Sequence, residues 1–274
     1  MKNNDTFAPL EVAKQLLAIE SLLGSLDFLP SKRNPLKMAD LPAPEIFVQQ
    51  ANDAKFPASP AVVAAAEKIP DNLTTDDKIR LLGTLDAEVK KCKKCELCQT
   101  RTNTVFGEHN PAARLVFVGE AQGADEDAQG RPFVGRAGEL LTKMINAMGL
   151  RREDVFILNM LKCRPPMNRT PNPQEIQACW SFLVRQLQIL RPEVIVTLGN
   201  PATQGLLNTK AGITTLRGQW QALPEIAPGL GGTPVMPTFH PAYVLRNYSV
   251  ETRQKVWSDL QQVMARLGIK TPTK

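Results

Sequence analysis

The spacing of the cysteines is the feature of this sequence that most directly predicts chemistry. Three of the five cysteines lie within seven residues, at Cys92, Cys95 and Cys98, and the others follow at Cys163 and Cys179. A Cys-x-x-Cys loop brings two thiolates to one metal centre, and a second pair completes a four-thiolate site. We therefore predict a metal site, with zinc and an iron–sulfur centre both open on spacing alone. Buried core thiols are the alternative, and Cys179 fits it best because it lies in a predicted helix.

A segment rich in glycine and carboxylates separates the two groups of cysteines. It runs from Gly119 to Gly135 with the sequence GEAQGADEDAQGRPFVG. It follows an apolar strand but contains neither G-x-G-x-x-G nor G-K-[ST], so it does not match the common nucleotide-binding loops. Glu120 and the acidic residues at 125–127 suit water activation or the stabilisation of a cationic transition state. Phe133, in a turn rich in Gly and Pro, suits either stacking on a flat ligand or ordinary core packing.

Further candidate residues stand at the ends of predicted strands. Asn159 ends one strand, and His240 precedes a proline, which favours an extended backbone at the end of another strand. A histidine in that position is a candidate for chemistry, whereas His109, in a turn, is predicted to be merely exposed. Several basic residues flank these loops and are either solvated or, if a base pocket lies there, phosphate contacts: Lys162, Arg164, Arg169 and Arg246.

Apolar periodicity predicts that strands alternate with helices beyond residue 110. The predicted strands are 115–118, 155–158, 194–198 and 235–240, and the predicted helices are 138–148, 173–190, 201–207 and 250–267. Short apolar strands alternating with helices indicate an α/β fold with a mainly parallel central sheet flanked by helices on both faces. Ligands bind at the carboxyl ends of the strands in such folds, and here those ends lead to Glu120, Asn159, Gly199-Asn200 and His240.

The N-terminal third of the chain differs in composition from the rest. We predict an amphipathic helix within residues 1–29, a linker rich in Pro and Ala over 30–73, and a catalytic domain over 74–274. This domain opens with a helix capped by Thr74 or Thr75. Residues 1–91 carry 11 basic and 13 acidic side chains, whereas residues 92–274 have a net charge of +8, which suits a polyanionic partner. Because the extension lacks a core of its own, removal of residues 1–85 is expected to leave the activity nearly intact.

Membrane and secreted classes do not fit this composition. No apolar run approaches the ~20 residues of a membrane span, and acidic residues precede the first apolar stretch, which is not typical of a signal peptide. We therefore expect a cytoplasmic protein with reduced thiols. Reduced thiols favour metal binding over disulfides, and the odd number of cysteines agrees.

Together these motifs resemble the family 4 uracil-DNA glycosylases, the iron–sulfur branch of that superfamily. The similarity extends from about Cys92 to Leu267. The matching stretches, in the family's order, are Arg101-Thr102, Val105–Glu108, Gly119–Gly123, Gly130–Gly135, Asn159–Pro166, Asn168-Arg169 with Pro171, and His240–Arg246. The resemblance implies a uracil-DNA-glycosylase-like sandwich that flips uracil out of DNA and hydrolyses its N-glycosidic bond, leaving an abasic site.

The resemblance also implies a metal cofactor and a water-positioning loop. The ligands of a 4Fe–4S cluster match Cys92, Cys95, Cys163 and Cys179, and Cys98 falls outside this set. Glu120 and Ala121 match the loop that positions the attacking water and contacts the base, and Glu126 is a second acidic position there. Gln122 stands where family members usually have Pro, a departure that bears on base specificity and rate.

The remaining matches concern the base and the DNA. Phe133 matches the aromatic residue that stacks on the flipped uracil, Asn159 the amide that recognises the base edge, and His240 the residue facing the base oxygen where negative charge develops. Leu245 and Arg246 match the loop that enters the duplex. The implied partner is uracil-containing DNA, single- or double-stranded, bound by a monomer in the nucleoid, with a protein partner possible for the N-terminal extension. A glycosylase for another deaminated base such as hypoxanthine, and a non-catalytic iron–sulfur or zinc DNA-binding module, are the alternatives.

Overall fold

A six-stranded, mainly parallel sheet forms the centre of the protein. The computed structural model describes residues 69–70 and 72–270, so the predicted N-terminal helix and nearly all of the predicted linker lie outside the described residues. In chain order the strands are β1 (Glu108–His109), β2 (Leu115–Gly119), β3 (Phe156–Asn159), β4 (Val194–Leu198), β5 (Gln221–Ala222) and β6 (Pro234–Thr238). Their spatial order is β1-β3-β2-β4-β6-β5, with four parallel inner strands and antiparallel edges. This topology confirms the predicted α/β class.

Helices cover both faces of the sheet. In chain order they are α1 (Thr75–Lys90), α2 (Ala124–Gln129), α3 (Arg136–Ala147), α4 (Pro173–Leu190), α5 (Asn200–Leu207), α6 (Ile213–Leu216), α7 (Pro241–Arg246) and α8 (Val250–Leu267). Short 3-10 turns occupy three of the connections, at Glu96–Gln99, Arg152–Asp154 and Pro166–Asn168. Within residues 69–70 and 72–270, no helix has the length and apolar composition that a membrane crossing requires.

Side chains of β2 alternate between two separate hydrophobic cores. Val116 and Val118 belong to the core that includes buried residues of α1 and α4, whereas Leu115 and Phe117 belong to the core that includes those of α3 and α8. The alternation arises because successive side chains of a strand project to opposite faces of the sheet. Both faces are buried, which explains why the inner strands are continuous apolar runs in the sequence.

The predicted helix boundaries agree with the structure where a capping residue marks them. Helix α4 begins at Pro173, as predicted, because the Asn172 side chain accepts a hydrogen bond from the Glu175 backbone N–H at 2.8 Å. Thr74 caps α1 in the same way. The short helices α2 and α7 were not predicted. Each has only six residues, too few to establish a helical period in the sequence.

Helix α1 is an integral part of the domain. Leu82, Leu85 and Val89 are buried against α4 in the first core. The Lys78 ammonium donates to the Leu190 carbonyl at the end of α4, at 2.7 Å. Removal of residues 1–85 would strip most of this helix and leave apolar surface exposed on α4. This packing argues against the prediction that such a truncation leaves the activity nearly intact, because the cut falls inside a packed helix.

Candidate active site and cysteine cavity

The carboxyl ends of the inner strands open into one cavity of about 520 Å³. Clefts of this size at strand ends are the usual ligand sites of open α/β sheets. Most of the residues predicted for the site line this cavity: Glu120, Ala121, Gln122, Glu126, Phe133, Asn159, Arg169, His240 and Arg246. The cavity, referred to below as the base pocket, thus gathers residues from strands β2, β3 and β6 that lie far apart in the sequence.

Two glycines make room for the flat wall of the base pocket. A Cβ at Gly119 would lie 2.2 Å from Asn159 Oδ1 and 2.7 Å from the Phe133 ring, so both side chains depend on its absence. A Cβ at Gly138 would lie 1.8 Å from the Phe133 carbonyl oxygen. Phe133 itself has a left-handed backbone, with φ of 50°, and is 5% exposed. Its ring centroid lies 5.7 Å from that of His240, so the two rings flank the same part of the pocket.

Two buried amides in the pocket lining have unsatisfied hydrogen-bonding atoms. Asn159 and Gln122 are each 2% exposed, and Asn159 Oδ1 and both polar atoms of the Gln122 amide have no hydrogen-bond partner. Buried polar atoms are usually paired, because an unpaired one costs about 1–3 kcal/mol. Unpaired amides beside a cavity are therefore expected where a ligand supplies the missing partners.

His240 is held as a neutral hydrogen-bond donor. It caps helix α7, where its Nδ1 accepts from the Ala242 backbone N–H at 3.0 Å. Burial, together with the nearby Arg246 cation, lowers the pKa of His240 to about 4. The imidazole is therefore uncharged at neutral pH, and because Nδ1 is an acceptor, the ring proton must reside on Nε2. The His240 Cβ packs closely against Gly199, where an added Cβ would lie 2.9 Å from it.

Glu120 is the free carboxylate of the pocket. It follows β2 directly, and its backbone carbonyl accepts from the Leu161 N–H at 3.1 Å, which extends the pairing with the chain beyond β3. Burial raises the pKa of the Glu120 carboxyl above its ordinary value. A carboxylate with a raised pKa beside a cavity is suited to accept a proton.

Glu126 differs from Glu120 because its carboxylate accepts hydrogen bonds from the backbone. One oxygen accepts from the Gly123 N–H at 3.0 Å, and the other accepts from the N–H groups of Val134 and Gly135 at 2.9 and 3.0 Å. It therefore ties the turn after β2 to the turn that carries Phe133. Glu126 is also a predicted catalytic residue, and in this structure its two oxygens accept from three backbone N–H groups and hold the loop together.

The five cysteines line a second cavity, referred to below as the cysteine cavity. All five are free thiols. Several N–H groups donate to the sulfurs: Arg101 Nη1 to Cys163 at 2.9 Å, the Lys162 backbone to Cys179 at 3.3 Å and the Lys94 backbone to Cys92 at 3.5 Å. Donors of this kind stabilise negative charge on sulfur, which is how proteins surround iron–sulfur clusters.

The buried thiols of this cavity need a metal if they are to be ionised. Burial raises the pKa of the Cys163 thiol, and it raises the pKa of Cys179 to about 12. A coordinating metal deprotonates such a thiol outright. Within the described residues, no group of three or more His, Cys, Asp or Glu is placed to hold a single metal ion. The five thiols and the N–H groups that donate to them fit a thiolate-bound metal centre.

Lys162 joins the two cavities. Its side chain is 1% exposed and lines the cysteine cavity, and its ammonium donates to the Asn159 backbone carbonyl at 2.6 Å. Burial lowers the pKa of Lys162 to about 8, so the ammonium remains largely charged at neutral pH. A buried cation thus lies between the sulfurs and the residue that carries a free amide into the base pocket.

Sequence similarity to known proteins identifies the family of this chain. The model of the Uracil DNA glycosylase superfamily matches residues 106–261. The type-4 uracil-DNA glycosylase of Thermotoga maritima is 49% identical over 186 residues, which cover 66% of this chain and 92% of the relative. The type-4 enzyme of Archaeoglobus fulgidus is 46% identical over 193 residues, covering 70% and 96%. The chain belongs to the type-4 uracil-DNA glycosylases. A third member, from Saccharolobus solfataricus, is 44% identical over 199 residues, covering 70% of this chain and 89% of the relative.

The residues predicted to contact DNA in this type-4 glycosylase chain have different surroundings. Arg246 is exposed at the pocket, whereas Leu245 is partly buried against the second core. Arg169 forms a two-point ion pair with the Glu175 carboxylate at 2.5 and 2.9 Å, and stays 44% exposed. Arg164 donates to the Asn168 side chain at 2.7 Å and is not part of the pocket lining. Two of the predicted DNA contacts, Arg169 and Arg246, therefore line the pocket, whereas Arg164 and Leu245 lie outside its lining.

A partly buried ionic cluster around His109 was not predicted from the sequence. His109, predicted to be exposed, has a side chain only 15% exposed, lies 2.7 Å from the Glu108 carboxylate, and contacts Arg152 at 3.0 Å. Arg152 also donates to the Pro132 carbonyl at 2.6 Å, so the cluster braces the turn that carries Phe133. His109 and Arg152 are 43 residues apart, and no local pattern signals such a pair.

Proposed function

We propose that this chain excises uracil from DNA by hydrolysing the bond between the sugar C1′ and the base N1. The observation that carries the proposal is the convergence, in one pocket at the strand ends, of an unpaired buried amide, a buried aromatic ring, a neutral histidine and a free carboxylate. The uracil must leave the base stack to reach such a pocket. Membership of a family whose members are named type-4 uracil-DNA glycosylases supports the same activity.

Base recognition is assigned to Asn159 and Phe133. The Watson–Crick edge of uracil presents an N–H donor next to a carbonyl acceptor, and a side-chain amide offers the complementary pair. The unpaired Oδ1 of Asn159 would accept from the base N–H, and its NH₂ would donate to the carbonyl. Cytosine presents the reverse pattern and would leave this amide mismatched. Phe133 would stack on the base plane.

Departure of the base is assigned to His240. When the C1′–N1 bond breaks, its electron pair stays on uracil and the negative charge spreads from N1 to the carbonyl oxygen on the neighbouring ring carbon. A preorganised donor at that oxygen stabilises the transition state more than the ground state. The Nε2–H of His240 suits this role because Nδ1 is already occupied by the Ala242 N–H.

Water attack is assigned to the loop that begins with Glu120. The sugar becomes oxocarbenium-like as the base leaves, and a water molecule adds to C1′ and gives up a proton, which the Glu120 carboxylate accepts. A carboxylate also stabilises the cationic sugar electrostatically. Ala121 carries no carboxylate, so its contribution is limited to its backbone. Glu126 serves as a positioning residue, since its oxygens hold the loop through three backbone N–H groups.

The reaction is proposed to end at an abasic site. Cleavage of the DNA strand by a glycosylase requires an amine nucleophile at C1′. No lysine is part of the base-pocket lining in the portion of the chain that the structure describes. The enzyme is therefore proposed to be monofunctional, which means that it releases the base without cleaving the DNA strand.

The cofactor is proposed to be a 4Fe–4S cluster held by Cys92, Cys95, Cys163 and Cys179. When bound, it would supply a structural cross-link among the Cys92–Cys95 loop, the chain beyond β3 and helix α4. Cys163 follows Asn159 by four residues, so this cross-link would fix the segment that carries the base-reading amide. The N–H donors to sulfur and the nearby Arg101 and Lys162 cations fit the negative charge of such a cluster.

Partners are proposed on the charge and exposure of the residues around the pocket. Arg164, Arg169 and Arg246 would contact phosphates, and Leu245 would approach the duplex. Uracil in single- or double-stranded DNA is the substrate, the enzyme acts as a monomer at the nucleoid, and the N-terminal extension binds another protein. The net charge of +8 over residues 92–274 supports binding to a polyanion.

Release of free base from matched oligonucleotides tests the proposal. Duplexes that differ only in carrying uracil, hypoxanthine or no damaged base are incubated with excess enzyme, and the released base and abasic sites are quantified. Uracil release is expected, and no release from any duplex would show a non-catalytic DNA-binding module. Hypoxanthine is the second candidate substrate, because the Gln122 amide is buried with both polar atoms unpaired. Preferential release of hypoxanthine would replace uracil in the proposal.

A further inference from the structure

Met167 is the most exposed of the large hydrophobic residues that the structure describes. It is 94% exposed and lies at the tip of the 3-10 turn Pro166–Asn168. Single exposed hydrophobic side chains are common and need no explanation by themselves. The backbone and the surroundings of this methionine, however, are unusual.

The turn holds Met167 in a left-handed backbone conformation. Met167 has φ of 54° and Asn168 has φ of 55°, so two consecutive residues other than glycine occupy a region that disfavours side chains. Hydrogen bonds fix the turn, from the Asn168 N–H to the Pro165 carbonyl at 3.1 Å and from Arg164 Nε to the Asn168 side chain at 2.7 Å. Strain of this kind persists where the surrounding structure maintains it, often at functional sites. The turn therefore presents the methionine on a rigid support.

This turn also forms part of the base-pocket rim. Pro165, Asn168 and Arg169, on either side of Met167, line the pocket. Arg164 and Arg169 place positive charge beside the methionine, which suits the phosphates of a strand whose base enters the pocket. Leu245, by contrast, is partly buried against the second core, so it offers less free apolar surface to DNA.

We propose that Met167 is an apolar wedge that inserts between the bases next to the extruded uracil in duplex DNA. Extrusion of a base costs stacking energy, and an apolar side chain placed in the gap offsets part of that cost. Methionine suits this role because its unbranched, flexible side chain adapts to an irregular gap. The inference rests on the proposed function, since it assigns Met167 to the extrusion step of uracil excision. It applies only to duplex substrate, because a single strand has no stack to open.

The test compares Met167→Ala with the wild-type enzyme on the same uracil in duplex and in single-stranded oligonucleotides. Single-turnover excision at sub-saturating and saturating enzyme separates binding from the later steps. The variant is expected to lose about tenfold in duplex excision, the scale of a partly lost unstacking contribution, and less than about twofold on the single strand. A 2-aminopurine next to the uracil reports unstacking directly. Its fluorescence should rise with wild type and rise less with the variant.

Two further variants make the outcome decisive. Ile79→Ala removes another exposed apolar side chain, 53% exposed on α1 and outside the pocket lining, and should match wild type on both substrates. Met167→Leu, which keeps the apolar bulk, should restore duplex excision. Equal rates for Met167→Ala and wild type on the duplex, or equal losses on both substrates, would overturn the wedge. If wild type releases no uracil, the proposed function fails instead, and the 2-aminopurine signal still reports whether Met167 opens the stack.

Discussion

The cysteine cavity and the base pocket use the same stretch of chain for opposite electrostatic purposes. Asn159 faces the pocket and Cys163, four residues later, faces the cavity. The cavity collects buried cations and N–H donors around sulfur, as a resident negative group requires. The pocket presents an uncharged histidine and unpaired amides beside the Glu120 carboxylate. The histidine and the amides can bind a neutral base, and the histidine gains a negatively charged partner only as the base leaves.

The cysteine cavity and the base pocket should respond differently to single substitutions. A thiolate site depends on the full set of ligands, so the loss of one ligand should release the whole group. The pocket divides its work among residues that act at separate steps, so single losses should be graded. Lys162 connects the two sites through its hydrogen bond to the Asn159 carbonyl, and the Arg169–Glu175 ion pair joins their linings a second time. The predictions below test this contrast.

Loss of a predicted ligand should have the largest effect. Wild-type protein is expected to be yellow-brown with about four irons per chain. Cys163→Ser should lose nearly all iron and sulfide, and excision with them, because the segment after Asn159 would no longer be anchored. Cys98→Ser, in the same cavity, is the matched control and should keep its colour. Bleaching of the Cys98 variant, or stoichiometric zinc without sulfide in the wild type, would contradict the ligand assignment.

His240→Ala should have the next largest effect. Loss of one preorganised donor costs on the order of 10²–10³ in rate, and single-turnover excision at saturating enzyme measures that step alone. Arg246→Ala provides the contrast, because an exposed cation at the rim should chiefly weaken binding and duplex extrusion. If His240→Ala cleaves at the wild-type rate once saturated, the histidine has only a structural role as the cap of α7.

The pH dependence of excision should separate Glu120 from His240. Burial raises the pKa of Glu120, and its carboxylate form is the active one, so the rate should fall as pH falls through that raised pKa. Below that pKa the carboxylate fraction drops by up to about tenfold per pH unit. His240, with its pKa of about 4, remains neutral over pH 5–8 and adds no titration there. Glu120→Gln should be slow and flat over this range, and a wild-type rate that rises on acidification would argue for a protonated histidine.

A smaller effect is expected when the link between the two sites is cut. Lys162→Met keeps most of the side-chain volume but removes the donor to the Asn159 carbonyl, so uracil excision should slow by about tenfold, the cost of losing a buried charged hydrogen bond. Weaker inhibition by free uracil would show that base recognition is affected. Lys94→Met is the matched control, because Lys94 also lines the cysteine cavity but its ammonium donates to Ser181 and lies over the Phe182 ring instead of donating to Asn159. Equal uracil inhibition of both variants, with iron retained, would show that Lys162 does not position Asn159.

Residue types at strand ends made much of the site predictable, whereas contacts between distant segments did not. The local signals are the Cys-x-x-Cys spacing, the apolar strands and the positions of Asn159 and His240. The cysteines line the cysteine cavity, and Asn159 and His240 line the base pocket. The bracing of Phe133 by Arg152 and the hydrogen bonds to the Glu126 carboxylate depend on backbone N–H and carbonyl groups that meet only in the folded chain. The prediction that residues 1–85 can be removed did not take into account the burial of α1 against α4, which has no local mark beyond its amphipathic pattern.

The smallest effect is expected from a truncation that leaves helix α1 intact. A chain that begins at residue 69 keeps α1 and Val89, which lines the cysteine cavity, so its iron content and excision rate should stay within about twofold of the full chain. A chain that begins at residue 86 lacks Leu82 and Leu85, whose burial stabilises the fold by roughly 2 kcal/mol or more each. We expect it to lose thermal stability and iron together, because one end of α1 leads directly to Cys92. If the longer truncation unfolds at the same temperature as the shorter one and keeps its iron, α1 does not hold the cysteine cavity in place, and the cavity depends on its ligands alone.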